Sequence, residues 1–538
     1  MRAQEEQALV ERLDWRIASR DDAAVAQALA SGAEVEEVYA LEAGALLDGF
    51  WAFLGEVGVQ DLLAGVTVAA RARVIVPTIQ VLLTYHLKIL MGIASINALP
   101  ALLFSDQAAM RQLGFNAALL TAGLTRRSAD RRGPAQAPPR PMCPEVIGDL
   151  VGALSAAEAS AYFNGVIARL AAWGAFGPAV RGVMDGTVLR VPPTVRGRTL
   201  GARGEGYKLL ALLDAHTGLP LALLLVAEHA AESDYVLTLL GQAQANLGSA
   251  SRLSEFVADR AYVDGPVLAE VDDLGIIFTV VLKDGMCMRE DARALVAAGE
   301  GYRGQRPVTV RHGSGRTAWT EERITEVVGI AGLTSYDDYN SRAALRHKGR
   351  RRYCPRPLNA VVVTRWDGRT AEAHGHYVFA TNGSVRAPLA TFDRYDDRSL
   401  IENLLFREGK QPWQLQRAPQ RTEAAIWAHI CLTLATAALA TAYRAWAERQ
   451  DRLAEQAEQA QRAVPTRPEE GFRHWRARLF AENRDLVLLF LDLGPHTVYG
   501  ILHLAELAVL SGVRLRKLPP HLGSRADIFA RYGLSPPA

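Results

Sequence analysis

Between about 179 and 282 the chain alternates short apolar runs with helical stretches in the order β-β-β-α-β-α-β. That mixed order makes a central sheet covered by helices. The runs are one that begins at Val183-Met184-Asp185, then Tyr207 to Asp214 (YKLLALLD), Leu219 to Ala227 (LPLALLLVA), Glu255 to Asp259 (EFVAD) and Ile276 to Leu282. Asp214-Ala-His-Thr-Gly218 supplies a turn between the second and third, so the first three form an antiparallel meander. A helix is expected from about Ser233, as N-cap, to Asn246, and another from about Gly265.

The remaining sequence divides around this centre. Residues 1–125 read as helical, with stretches such as Glu5 to Leu13 in helical apolar spacing. Residues 126–141 (RRSADRRGPAQAPPRP) form a basic, Pro-rich linker with five arginines, open to a solvated reading or to a phosphate-tracking one. The central domain resumes over 142–283, where Ser155-Ala-Ala-Glu158 has the spacing of a capping box. Residues 284–375 are polar and loop-rich, with short strands expected at Val308 to His312, Ile324 to Val328 and Ala360 to Thr364. Residues 376–448 return to the central domain, with a strand at Tyr377 to Thr381, a helix from near Asp393 to about Lys410, and a long apolar helix over about 422–448. Residues 449–538 are expected to be helical.

Composition narrows the class. The 538 residues are 49% hydrophobic and 22% charged, which is globular and too long for one ordinary core. A net charge of +2 neither supports nor excludes a nucleic-acid partner, because local clusters decide that. Cys143, Cys287, Cys354 and Cys431 have no CxxC pair and no zinc spacing, so they read as ordinary thiols. The N-terminus lacks the apolar stretch of a signal peptide. Val74 to Phe104 and Ile426 to Ala442 are apolar, but Lys88, His86, Pro77 and Pro100 interrupt one and His429 and threonines the other. Core helices account for both, and no membrane span is expected.

The chemistry rests on carboxylates. Transfer of a phosphodiester needs an attacking oxygen activated and a leaving oxygen stabilised, which two Mg²⁺ ions about 4 Å apart achieve. Mg²⁺ takes oxygen ligands, so acids must converge from rigid elements. Asp185 and Asp259 each end an apolar strand, where their acids can meet at the sheet's edge or simply form turns. Tyr395, Arg398 and Glu402 are spaced by three and four, on one face of a helix. Arg and Tyr beside a metal carboxylate suit phosphate, while the same spacing also fits a plain i,i+4 Arg–Glu surface pair.

Here the sequence resembles a known family. YDDRSLIENLLFREGKQPW (395–413) is similar to the Tyr-Arg-Glu-Lys signature of bacterial insertion-sequence DDE transposases. VMDGTVLR (183–190) and EFVADRAYVDG (255–265) resemble that family's first-Asp strand and second-Asp block, and 206–235 resembles the strand pair and helix between them. The resemblance covers about 180–440, extends loosely to 62–175 and is lost after about 450.

The resemblance implies an RNase H-like α/β fold: a mixed sheet flanked by helices, with a β-rich insertion over 284–375 and helical N- and C-terminal regions. It implies metal-dependent cleavage and strand transfer at terminal inverted repeats, with Asp185, Asp259 and Glu402 holding two Mg²⁺ ions, or Mn²⁺ in their place. Tyr395 and Arg398 would contact DNA phosphate. Lys410 departs from the signature, because Gly409 falls at the lysine position. On a regular helix Lys410 sits roughly 80° around from Glu402, and a one-residue bulge would restore it. Lys208 and Arg260 flank the acids and are candidates for phosphate contacts or ordinary ion pairs. The run 342–356 has seven Lys or Arg and no acid, so Arg346, Lys348, Arg350 and Arg351 are further DNA candidates, or a solvated loop. Tyr302 and Trp319 could stack on an unpaired base or fill a small β core. The partners implied are duplex DNA and a second copy of the chain, in the bacterial cytoplasm on the nucleoid. Two alternatives stay open: a nuclease of the same fold without strand transfer, and a degenerate DNA-binding protein without catalysis.

Overall fold

A computed structural model describes residues 17–35, 37–40, 44–68, 76–115, 120, 141–190, 194–196, 206–313, 318–335, 356–367, 373–461, 485–493 and 496–536. The chain forms two compact units, Ala159–Ala438 and Met1–Glu158 with Leu439–Ala538.

The first of these holds a nine-stranded mixed sheet. With β1 (Ser19–Arg20) and β2 (Glu37–Ala40) in the other unit, its strands are β3 (Ala179–Arg190), β4 (Gly206–Asp214), β5 (Pro220–Ala227), β6 (Arg252–Ala258), β7 (Ile277–Val281), β8 (Tyr302–His312), β9 (Trp319–Leu333), β10 (Leu358–Asp367) and β11 (Ala373–Thr381). Their spatial order is β5-β4-β3-β6-β7-β11-β10-β9-β8. The meander β3–β5 is antiparallel, while β6 lies parallel to β3 and β7 parallel to β6. Three antiparallel strands followed by two parallel to the first is the RNase H-like arrangement. The β4–β5 turn closes as expected: Asp214 accepts from the Thr217 backbone N–H at 3.0 Å and hydroxyl at 2.6 Å, and Gly218 takes the left-handed φ of +73° that a side chain would resist.

The strands expected over 284–375 are present but longer, and β8–β11 continue the same sheet through the β7–β11 pair. Their length was hidden because β8 is an edge strand with mostly exposed, polar side chains, so it lacks a sustained apolar period. The helix Pro388–Asp396 packs on this extension, where Leu389, Phe392 and Tyr395 meet Val327, Val361, Val363, Phe379 and Val385. It starts earlier than the sequence suggested, with Pro388 in its first turn.

The helix Val236–Leu247 packs on β4, β5 and β6. The capping box at Ser155 forms: Glu158 N–H donates to Ser155 Oγ at 3.1 Å and Ser155 N–H to Glu158 Oε2 at 2.8 Å. Ser233 is not an N-cap; it lies in the 3₁₀ turn Glu232–Tyr235, and the helix begins at Val236. Asn246 Nδ2 in that helix donates to the Leu221 carbonyl at 2.8 Å and to Asn164 Oδ1 at 3.1 Å. The long helix Glu423–Gln461 has a stretch apolar and long enough to cross a membrane, 78% of it buried in the protein. The polar groups that interrupt it are satisfied internally: His429 Nε2 lies 2.9 Å from the Gln414 carbonyl, and the Thr436 hydroxyl donates to Leu432 O at 2.7 Å.

The other unit differs from the helical expectation for the two ends. β12 (Leu486–Leu493) and β13 (His496–His503) form a hairpin in a four-stranded sheet of order β1-β13-β12-β2. A continuous apolar run such as LVLLFL carries no period that separates a buried strand from a buried helix. Here pairing across the hairpin decides it, and Val487, Leu489 and Leu491 pack with Val25, Leu29, Ile528 and Phe529. Cys143, Cys287 and Cys431 are thiols outside any disulfide among the described residues; Cys354 and most of the linker, 126–140, lie outside the described residues.

Candidate active site

Asp185 and Asp259 are neighbours by register. Met184 in β3 pairs with Ala258 in parallel β6, and each Asp is the next residue along. Adjacent strands lie about 4.8 Å apart, so the two carboxyls share one edge of the sheet. Asp185 Oδ1 accepts from the Gly186 N–H at 2.8 Å, and Asp259 Oδ1 from the Ala261 N–H at 2.7 Å, which fixes both acids against the backbone.

Burial pushes the Asp185 carboxyl up to about 7; the Gly186 N–H and Arg398 oppose this, while Asp259 and Glu232 add to it. Burial also raises Asp259, against the Ala261 N–H and with Glu232 adding. In both acids burial outweighs the nearby arginines, Arg398 for Asp185 and Arg398 with Arg260 for Asp259, so the edge has room for a further cation.

Glu402 approaches through Arg398. The guanidinium donates to Asp185 Oδ2 at 3.1 Å and pairs with Glu402 Oε1 at 2.7 Å. The i,i+4 pair expected as the plain alternative exists, but its arginine also reaches the sheet. Burial pulls Arg398 down, and Tyr395, Asp185, Glu402 and Asp259 together raise it. Tyr395 stacks on Phe379 with ring centroids 4.2 Å apart, and burial carries its hydroxyl up to about 12.

Lys410 is brought back to the site by a change in helix type. Ile401–Arg407 is a π-helical segment, whose i→i+5 bonding absorbs one extra residue. Lys410 then donates to Thr187 Oγ1 at 2.6 Å and to the Val188 carbonyl at 3.2 Å, on the strand of Asp185. Burial and Arg190 lower its pKa.

The other candidates divide. Lys208 pairs with Glu232 at 2.9 Å and also donates to the Ala230 carbonyl. Arg260 is exposed beside Asp259. Tyr302 is exposed, and Trp319 stacks on His312 at 4.1 Å, so neither fills a core. Arg346, Lys348, Arg350 and Arg351 lie outside the described residues.

Sequence reading missed the residues that hold these groups in place. Arg181 pairs with Asp397, and Arg394 with Glu255 at 3.3 Å, so two ion pairs pin the helix bearing Tyr395 to β3 and β6. The signal was present: Arg181 and Glu255 each stand four positions before an Asp in an apolar run, on the same strand face. Glu232 was missed too. It lies against Gly186, where an added Cβ would sit 2.8 Å from Leu210 Cδ2 and 3.2 Å from the Glu232 carboxyl. Gly186→Ala is expected to cost about 1–3 kcal/mol in urea unfolding, since neither neighbour can yield freely in a packed site; an unchanged midpoint would show that the contact is slack.

The donor set near the edge is carboxylate oxygen alone, which fits a hard divalent cation in kind. Among the described residues no three His, Cys, Asp or Glu side chains gather closely enough to hold one without a side-chain movement. Glu402, with a side chain 52% exposed, has the room to make that movement.

Fold and site define an RNase H-like domain with acids on neighbouring parallel strands, faced by an Arg–Glu helix. Residues 177–439, a little under half of the chain, match the family model described as the transposase DDE domain. Among solved structures the chain is similar to a cryo-EM structure of the piggyBac transposase synaptic complex with hairpin DNA. That match has 9% identity and a TM-score of 0.33, over 79% of this chain and 75% of that one. No curated protein matches the chain.

Proposed function

We propose that the chain is a transposase of the insertion-sequence type, which cuts DNA at the terminal inverted repeats of its element and joins the freed ends to a target. The observation that carries this reading is the convergence of Asp185, Arg398 and Glu402 in a segment that matches the transposase DDE domain. Asp185, Asp259 and Glu402 would hold two Mg²⁺ ions, or Mn²⁺. When bound, these activate the attacking oxygen and stabilise the leaving one.

The chain's own groups would do the rest. Arg398 presents a fork of donors to the phosphate beside the scissile bond, and Tyr395 its hydroxyl. Lys410, completing a Tyr-Arg-Glu-Lys set through the π-helical segment, would take the next phosphate. Lys208, Arg260 and the run containing Arg346, Lys348, Arg350 and Arg351 would track the DNA backbone. The helical N-terminal region would bind the element's ends, two copies would act together on the DNA, and the work would take place on the bacterial nucleoid in the cytoplasm.

The test is Mg²⁺-dependent cleavage and joining of DNA bearing the ends that flank the gene, with Glu402→Gln beside wild type. Cutting and joining by wild type, with the variant still binding DNA but inert, is the expected result. Cutting without joining would favour a nuclease of the same fold. Binding without reaction in Mg²⁺ or Mn²⁺ would leave a degenerate DNA-binding protein.

A further inference from the structure

We propose that Arg398 is an internal counter-ion that a divalent cation must displace, so that metal and DNA phosphate enter the site together. The inference rests on the proposed function and concerns the regulation of the same carboxylates. One guanidinium spans acids from two elements, Asp185 Oδ2 on β3 at 3.1 Å and Glu402 Oε1 on the helix at 2.7 Å. No three acids gather closely enough to hold a metal among the described residues. The group lying between two of them is this guanidinium. Each Asp185 oxygen already accepts one hydrogen bond, Oδ1 from the Gly186 N–H and Oδ2 from Arg398. A cation drawing Glu402 toward Asp185 therefore competes for the atoms that hold Arg398.

Two of the other cations nearby are engaged elsewhere, while Arg260 is exposed beside Asp259. Lys208 is paired with Glu232, and Lys410 is held by Thr187 and Val188. Arg398 has a side chain 26% exposed, so it has a way out toward solvent. A half-buried guanidinium leaving two carboxylates needs another anion, and a phosphodiester matches its fork of donors. A DNA phosphate thus draws Arg398 off the acids and frees them for metal. By linkage, metal then tightens DNA binding by the same factor. The consequence is a site that takes up metal poorly until DNA is in place.

Mn²⁺ binding to the full chain, read from the free-ion EPR signal, tests this. It is measured with and without a duplex carrying an already cleaved element end, for wild type, Arg398→Ala, Arg398→Lys and Asp185→Asn. Arg398→Ala is expected to bind Mn²⁺ about tenfold more tightly without DNA, the scale of one charge-assisted bond no longer to be broken. DNA should tighten Mn²⁺ binding several-fold in wild type and hardly at all in Arg398→Ala. Arg398→Lys keeps the charge and the stem but cannot span both oxygens, so it should fall between; if Arg398→Ala fails to fold, this variant decides. Unchanged or weaker Mn²⁺ binding in the arginine variants, or equal tightening by DNA in all, would overturn the inference. Asp185→Asn separates the two levels. If it abolishes Mn²⁺ binding while the arginine variants behave as wild type, only this inference fails. If it leaves Mn²⁺ binding intact, the metal site itself is misassigned and the proposed function fails with it.

Discussion

Asp185→Asn will leave a folded protein that no longer cuts DNA and that is more stable than wild type at pH 8 in EDTA. Both effects come from one carboxyl. Burial pushes Asp185 up to about 7, well above the value an Asp has in an unfolded chain. Between about pH 4 and pH 7 the folded state therefore holds a proton that the unfolded state has released. The group's contribution to stability is full below about pH 4 and is lost as pH rises through about 7. Asn cannot ionise, so the variant escapes that loss. Arg398 gives up a charged partner in exchange, but the net upward shift means that burial already outweighs it. Each kcal/mol recovered is worth about 2–4 °C in a domain of this size. At pH 4 the two proteins should melt together. With a cleaved-end duplex present, Mg²⁺ should raise the melting temperature of wild type and not of the variant. Cleavage should fall by about 10³-fold or more, because the variant would lose a ligand to the ion that the proposed function assigns to transition-state charge. A variant less stable than wild type at pH 8 would mean that the Arg398 pair, not burial, dominates the site.

The proposed catalytic residues were legible because chemistry constrains type and spacing. Asp259 directly follows β6, Asp185 lies within β3, which runs on to Arg190 and so differs from the strand end expected, and Arg398 and Glu402 pair at i,i+4, so their placement follows from periods of two and 3.6. Their surroundings were less legible. Glu232 reaches the site from a 3₁₀ turn after β5, and its packing against Gly186 and its pair with Lys208 reveal it only in the folded chain. Arg181–Asp397 and Arg394–Glu255 join residues far apart in sequence, so the strand spacing that marks Arg181 and Glu255 does not name their partners. The hairpin β12–β13 was hidden for a different reason: an unbroken apolar run has no period to read. The length of β8 and β9 was masked by exposure, since an open edge strand has no buried face to write into its sequence.

Inserting one alanine after Asn403 will cost about 10²-fold or more in cleavage, whereas deleting Asn403 will leave cleavage within about tenfold of wild type. The asymmetry comes from the π-helical segment Ile401–Arg407. A regular helix turns 100° per residue, so the eight-residue step from Glu402 to Lys410 would swing the lysine off the face of the acid. Five-residue bonding takes up the extra residue, and Lys410 reaches Thr187 on the strand of Asp185. Asn403 is exposed, so its loss lets the segment relax to ordinary α-helix while Glu402 and Lys410 keep their phase. It also leaves six residues between them, the spacing of the signature that the sequence resembles. An inserted alanine has no such slack to use. It turns Lys410 away and drives the buried Leu405 and Phe406 out of register with the sheet, so the melting temperature should fall as well. Thermal melting and end cleavage of the two variants side by side make the measurement. If the deletion proves as damaging as the insertion, the bulge does more than correct phase, and the geometry of the π turn itself must be holding Glu402.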